Sequence, residues 1–391
     1  MDKKLSQLIA FFLCCILLVV TFSGCIENKQ KSEEKALSVP QIRLDQPPIL
    51  PDWKDGEYHD YYGTMDLLQE FQIKYPDLVN VFSIGNSVLG KDIWCIRITN
   101  ENNTKPKLSC LIDGCIHGQE WEGCEACLYL AEYLLINFNA NETITHIINS
   151  SEVYLVPLVN PDGRQKNDVY NDNGINLSRN FDVDFGRIRG GCIPLGKLFG
   201  RIKIPYIDTS RLNKWFPNIF PWRLFNCGRH PFSEPETQAM RDFMREIENN
   251  DFSFYLDCHV AWHCFGGPWD AVKPPFEMSK QEQYIYNYAI EWVAKNTEYE
   301  KYVSDEWFKS SGTSTDWCFK EFRIPSFFLE ILSLDYSTRH GASKHDHLVH
   351  WMNTALPVFM YLLVNIDNLH QWRTPDIKPS LPEGVPPPPL K

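Results

Sequence analysis

The stretch Lys107-Leu-Ser-Cys-Leu-Ile112 runs into Asp113-Gly-Cys-Ile-His117-Gly-Gln-Glu120 and then Trp121-Glu-Gly123. Its first part is a short apolar run that reads as a buried strand, and Glu120 is followed by a long apolar-periodic segment that reads as a helix. His117 and Glu120 therefore fall in a strand-to-helix loop, where sheets of this kind bind their ligands. Three residues apart, an imidazole nitrogen and a carboxylate can turn onto one point. A third ligand from elsewhere would complete a catalytic zinc site with one position open for water.

A His-x-x-Glu pattern alone reads as a satisfied structural histidine. Two later segments change its weight. Phe254-Tyr-Leu-Asp-Cys-His259 is an apolar strand ending in a histidine, and Pro325-Ser-Phe-Phe-Leu-Glu330 is another ending in a glutamate. Further segments follow in order: Asn160-Pro-Asp-Gly163, Gly174-Ile-Asn-Leu-Ser-Arg179-Asn-Phe181, Pro231-Phe-Ser-Glu-Pro-Glu-Thr-Gln-Ala239 and Ser311-Gly-Thr-Ser-Thr-Asp-Trp317. On these residues, from about 58 to 370, the chain resembles the zinc carboxypeptidase family, which includes carboxypeptidase A. The resemblance implies Zn2+ held by His117, Glu120 and His259, with Glu330 as general base toward a water. It implies Arg179 as the planar grip on a substrate's terminal carboxylate, and Ser178, Phe308 and Thr315 as further substrate-binding positions.

Four positions depart from the pattern. Asn176 stands where an aspartate usually accepts a hydrogen bond from the first zinc histidine, so the orientation of His117 would rest on a neutral amide oxygen. Ser178 stands where an asparagine helps Arg179, and Phe308 where a mobile tyrosine caps the substrate. Val169 falls where an arginine stabilises the developing oxyanion; Arg164 and Lys166 are the nearby cations that could replace it. The small neutral Thr315 argues against a strongly charged selector at its own position.

The remaining sequence sets the frame. A chain of 391 residues, 43% hydrophobic and 14% aromatic, can bury one large core. Strands are expected at Val79–Ile84, Ile93–Ile98, Leu108–Asp113, Val153–Pro157, Phe254–Asp257 and Phe327–Ile331, and helices near 122–137, 234–248, 281–295, 313–322 and 346–367. The fold class is α/β, and the resemblance makes it a mixed, mostly parallel sheet flanked by helices. Ser233-Glu-Pro-Glu236 reads as a capping box with Pro235 in the first turn. Leu356–Val364 is apolar but too short to span a bilayer, so it reads as a buried helix. A net charge of −12, with no Lys/Arg cluster, excludes nucleic acid as a partner.

Residues 1–25 read as a signal peptide. Lys3 and Lys4 precede the apolar run Leu8–Val20, and Phe22-Ser-Gly-Cys25 resembles a lipobox; an uncleaved anchor is the alternative. The polar, proline-bearing residues 26–57 read as a tether, 58–372 as the catalytic domain with an insertion at about 186–229, and 373–391 as a Pro-rich tail. The expected location is the cell surface, membrane-anchored. Of thirteen cysteines, Cys192 and Cys227 are the pair expected to bridge, while Cys95, Cys110 and Cys258 read as small buried hydrophobes. The function expected is a surface-anchored zinc metallopeptidase cutting an amide bond in a peptide or peptide-like substrate. The alternatives are a catalytically impaired binding module of the same fold, or an amidase or endopeptidase acting on cell-wall peptides.

Overall fold

Parallel strands covered on both faces are buried along their length, and the stretch Phe252 to Val260 is buried at every residue, Ser253, Asp257 and His259 included. In the computed structural model, the described residues are 58–189, 226–271, 273–302, 309–333 and 345–371, with three short strands at 192–194, 201–203 and 206–208. The strands are β1 (Val79–Asn86), β2 (Asp92–Ile98), β3 (Leu108–Gly114), β4 (Ser151–Val156), β5 (Arg187–Arg189), β6 (Cys192–Pro194) and β7 (Arg201–Lys203). They continue with β8 (Tyr206–Asp208), β9 (Phe252–Ala261), β10 (Cys264–Gly266), β11 (Glu300–Lys301), β12 (Lys309–Ser310) and β13 (Ser326–Ser333).

An eight-stranded mixed sheet runs in the order β1-β2-β4-β3-β9-β13-β10-β11. Its centre, β4-β3-β9-β13, is parallel, and antiparallel β1 and β2 close one side. The chain leaves β3 to β4 on one side and returns to β9 on the other. The carboxyl ends beside β3 therefore open a crevice of the kind that receives ligands.

Helices flank the sheet: α1 (Tyr61–Lys74), α2 (Trp121–Asn137), α3 (Glu142–Ser150), α4 (Pro161–Lys166), α5 (Pro235–Glu248), α6 (Lys280–Asn296), α7 (Ser314–Phe322), α8 (His345–Val364) and α9 (Ile366–Gln371). Helix α2 is buried nearly all round because it packs on β3 and β9 and also against α8. The apolar stretch from Leu356 lies in α8, and no helix among the described residues is long and apolar enough to cross a membrane. Cys95, Cys110 and Cys258 are buried thiols in strands, as expected.

The capping box expected at Ser233 does not form. Glu234 is the N-cap without a side-chain cap bond, and the Ser233 hydroxyl turns to Glu234. The Glu236 carboxylate is drawn instead to the Val88 N–H and the Asn171 amide, which tie α5 to distant loops. Pro235 does occupy the first turn, and a full box forms at Ser279 and Glu282 of α6. The expected signal, tether and tail, most of the 186–229 insertion, the side chain of Cys192 and the whole of Phe308 lie outside the described residues.

Candidate active site

The loop after β3 owes its shape to contacts with a second loop. Gly118 is seated on the backbone of Gly163, where a Cβ would fall 2.0 Å from the Gly163 carbonyl carbon, so only glycine fits. Asn160 fastens the pair: its Nδ2 donates to Ile116 O at 3.2 Å and its Oδ1 accepts from the Gly163 N–H at 2.9 Å. The Asn160-Pro-Asp-Gly163 segment thus shapes the turn that presents His117.

His117, Glu120 and His259 come together. Glu120 Oε1 lies 2.8 Å from His117 Nδ1, and Oε2 lies 2.9 Å from His259 Nδ1. One donor atom from each residue falls within 4.8 Å of the others. Behind the rings, His117 Nε2 meets Asn176 Oδ1 at 3.0 Å and His259 Nε2 meets Asp257 Oδ2 at 3.1 Å. Asn176 Oδ1 also accepts the Ser178 N–H, which marks that atom as the amide oxygen. The His117 Nε2–H therefore donates to Asn176, and Nδ1 is the ring nitrogen turned toward Glu120.

Two imidazole nitrogens facing one carboxylate require positive charge between them, either protons or a cation. Burial opposes charge on His259, but Asp257 and Glu120 outweigh it and lift its pKa well above the ordinary value. Burial would raise Glu120, yet His117 and His259 hold it well below the usual carboxylate range. A two-nitrogen, one-carboxylate set at the end of a rigid sheet fits a divalent zinc ion.

Glu330 is the register partner of His259 between β13 and β9. Burial, opposed by His259 and reinforced by Glu120 and Asp257, pushes its pKa up to about 8. A dication at the three donors would pull it back down. Its Oε2 is buried and has no hydrogen-bond partner.

Ser178, Arg179, Thr315, Asp270, Tyr302 and Asp316 line the cavity that Glu330 and the three donors share. Arg179 Nη1 donates to Ser178 O at 2.6 Å and to Ser178 Oγ at 3.2 Å, while its buried Nε has no partner. Gly312, at φ +90°, lies so close that a Cβ would meet Arg179 O at 2.4 Å. That approach sets the Ser311–Trp317 segment against Arg179.

Arg164 and Lys166, the cations considered for the oxyanion, do not enter. Arg164 stacks over Trp121 with its Nη2 on His59 O, and Lys166 pairs with Asp172. Arg179 is the one guanidinium among the described residues lining the cavity. Position 315 is neutral, as read, but two acids stand beside it. Asp316 accepts the backbone N–H groups of Asp270 and Ala271, and Asp270 accepts the Tyr302 hydroxyl. Sequence reading missed Asp257, Asp270 and Tyr302 as site residues. Asp316 stood inside a quoted motif without a role.

A family model described as zinc carboxypeptidase matches residues 64–342, and the chain belongs to that family. Carboxypeptidase D of Rattus norvegicus is 33% identical over 134 residues, 32% of this chain. The match spans 10% of that protein's length. Carboxypeptidase A6 of Homo sapiens is 23% identical over 334 residues, 81% of this chain and 69% of that protein. The crystal structure of carboxypeptidase A from Helicoverpa armigera shares the fold with a TM-score of 0.60 at 19% identity, covering 79% of this chain and 74% of that one.

Proposed function

We propose that this chain is a zinc-dependent peptidase that hydrolyses an amide bond near the carboxyl end of a peptide, with Glu330 as the general base. The observation that carries this reading is the buried, partnerless Oε2 of Glu330 in the cavity of the three donors. His117, Glu120 and His259 would hold the ion. Bound zinc polarises a carbonyl oxygen and brings the pKa of a water toward neutrality.

The chain's own groups supply the rest. Glu330 Oε2 takes a proton from the attacking water and passes it to the leaving amine, and the walls limit competing solvent. Arg179 receives the substrate carboxylate, with Ser178 holding its guanidinium in place. Asp270, Tyr302, Thr315 and Asp316 form the recess for the side chain beyond the scissile bond; burial pushes the pKa of both acids up, that of Asp316 to about 8, and a basic side chain entering there would restore their charge and pair with them. We place the enzyme outside the membrane, held by a lipid on Cys25. Purified protein incubated with peptides ending in Lys, with and without a zinc chelator, tests the activity. Absence of zinc-dependent release would leave the binding-module reading, which the lack of a second arginine among the described residues lining the cavity favours.

A further inference from the structure

The two histidines of the candidate metal centre are backed by different chemistry. His117 leans on the neutral oxygen of Asn176, whereas His259 leans on a carboxylate, Asp257 Oδ2, at 3.1 Å. Asp257 is 1% exposed and is the cross-strand register partner of Asp113, which is fully buried. The Ser314 hydroxyl donates to Asp257 Oδ2 at 2.5 Å, and the Tyr255 hydroxyl donates to Asp113 Oδ2 at 2.9 Å. The remaining oxygens, Asp113 Oδ1 and Asp257 Oδ1, are buried without another partner. The two acids sit side by side on neighbouring strands, directly behind His259.

We infer that Asp257, braced by Ser314 and Asp113, is the positioning carboxylate of the metal centre. The His259 Nε2–H donated to it fixes the tautomer that turns Nδ1 toward Glu120. This rests on the metal reading proposed above. It also answers what Asn176 left open: the negative charge missing behind the first histidine stands behind the second. Carboxylates that orient metal-bound imidazoles contribute about 10- to 100-fold to metal affinity.

The test uses the full chain and zinc dissociation constants from competition with a chromophoric chelator at fixed pH, with the Co2+ absorption spectrum as a second readout. Asp257→Asn should bind zinc about 10- to 100-fold more weakly and shift the Co2+ spectrum. Adding Asn176→Asp to that variant should restore much of the lost affinity, because the charge returns behind the other ring. Asp113→Asn, which can still donate to Asp257, should stay near the wild type. Zinc binding by folded Asp257→Asn within threefold of the wild type would overturn the inference, as would an equal loss in Asp113→Asn. If Asp257→Asn does not fold, Ser314→Ala decides: weaker zinc binding supports the role and unchanged binding overturns it. A wild type without zinc affinity refutes the metal reading and this inference together.

Discussion

Tyr302 donates its hydroxyl to Asp270 across 2.5 Å, in the cavity that Arg179 also lines. Of the charges acting on Arg179, that of Asp270 is the largest. The residue proposed to grip the substrate carboxylate and the acid proposed to select its side chain are therefore neighbours, and the charge of one acts on the other.

The first consequence concerns side-chain preference. Peptides ending in Lys should be cleaved faster than matched peptides ending in Leu or Glu. Asp270→Asn should cut kcat/KM for the Lys peptide about tenfold, the worth of a hydrogen bond to a charged group at about 1.5 kcal/mol, while the Leu peptide changes little. Equal losses on both peptides would show that Asp270 only shapes the wall.

The second concerns the free carboxylate. Ser178 supports Arg179 with a short side chain, and Asp270 opposes the approach of an anion to it. Amidation of the C-terminus should cost less than about a hundredfold in kcat/KM, since a site built around a charged group discriminates by about 10⁴ or more. A larger loss would mean that a residue outside the described segments completes the grip.

The third is the base. Glu330→Gln keeps size and hydrogen bonding but cannot accept the proton, so hydrolysis should fall by about 10² to 10⁴ with zinc still bound. Full activity in that variant would assign the proton transfer elsewhere.

The fourth is the metal. His117→Ala and His259→Ala should each lose zinc, as measured by metal analysis after dialysis. Zinc affinity of the wild type should weaken as pH falls, because His259, whose pKa Asp257 and Glu120 lift above the ordinary value against burial, must surrender a proton to bind the ion. Affinity that is flat between pH 8 and pH 6 would contradict ligation through these nitrogens.

The fifth is location. Cys25→Ser should leave the membrane fraction or migrate at the unprocessed mass, whereas the wild type partitions with membranes. Identical partitioning and mass in both would favour an uncleaved N-terminal anchor.

The site residues most legible in the sequence are those on or just after apolar strands, although β9 and β13 run on past His259 and Glu330 to Ala261 and Ser333. His259 and Glu330 each follow a run of buried residues, and a strand end in a parallel sheet has a known direction. Asp270 and Tyr302 carry no such mark. One follows the Gly267-Pro-Trp269 loop and the other the two-residue strand Glu300–Lys301, and periodicity says nothing about which way a loop residue faces. Helices α1 and α3 escaped for a related reason: α1 buries only Thr64, Leu68 and Phe71, and α3 only three isoleucines, stripes too sparse to stand out. Ser233 shows the opposite failure. The pattern was present, but Val88 and Asn171, far off in sequence, competed for the Glu236 carboxylate and won.

Glu330 and His259 face each other across neighbouring parallel strands, tied by main-chain hydrogen bonds. The spacing of their Cα atoms is consequently one interstrand distance, about 4.8 Å, and owes nothing to the radius of whatever ion is bound. Exchanging zinc for cobalt, manganese or cadmium alters acidity, ligand number and bond length at the donors, yet leaves the base where it is. Rates across such a series would therefore read the ion's own chemistry against a fixed ruler.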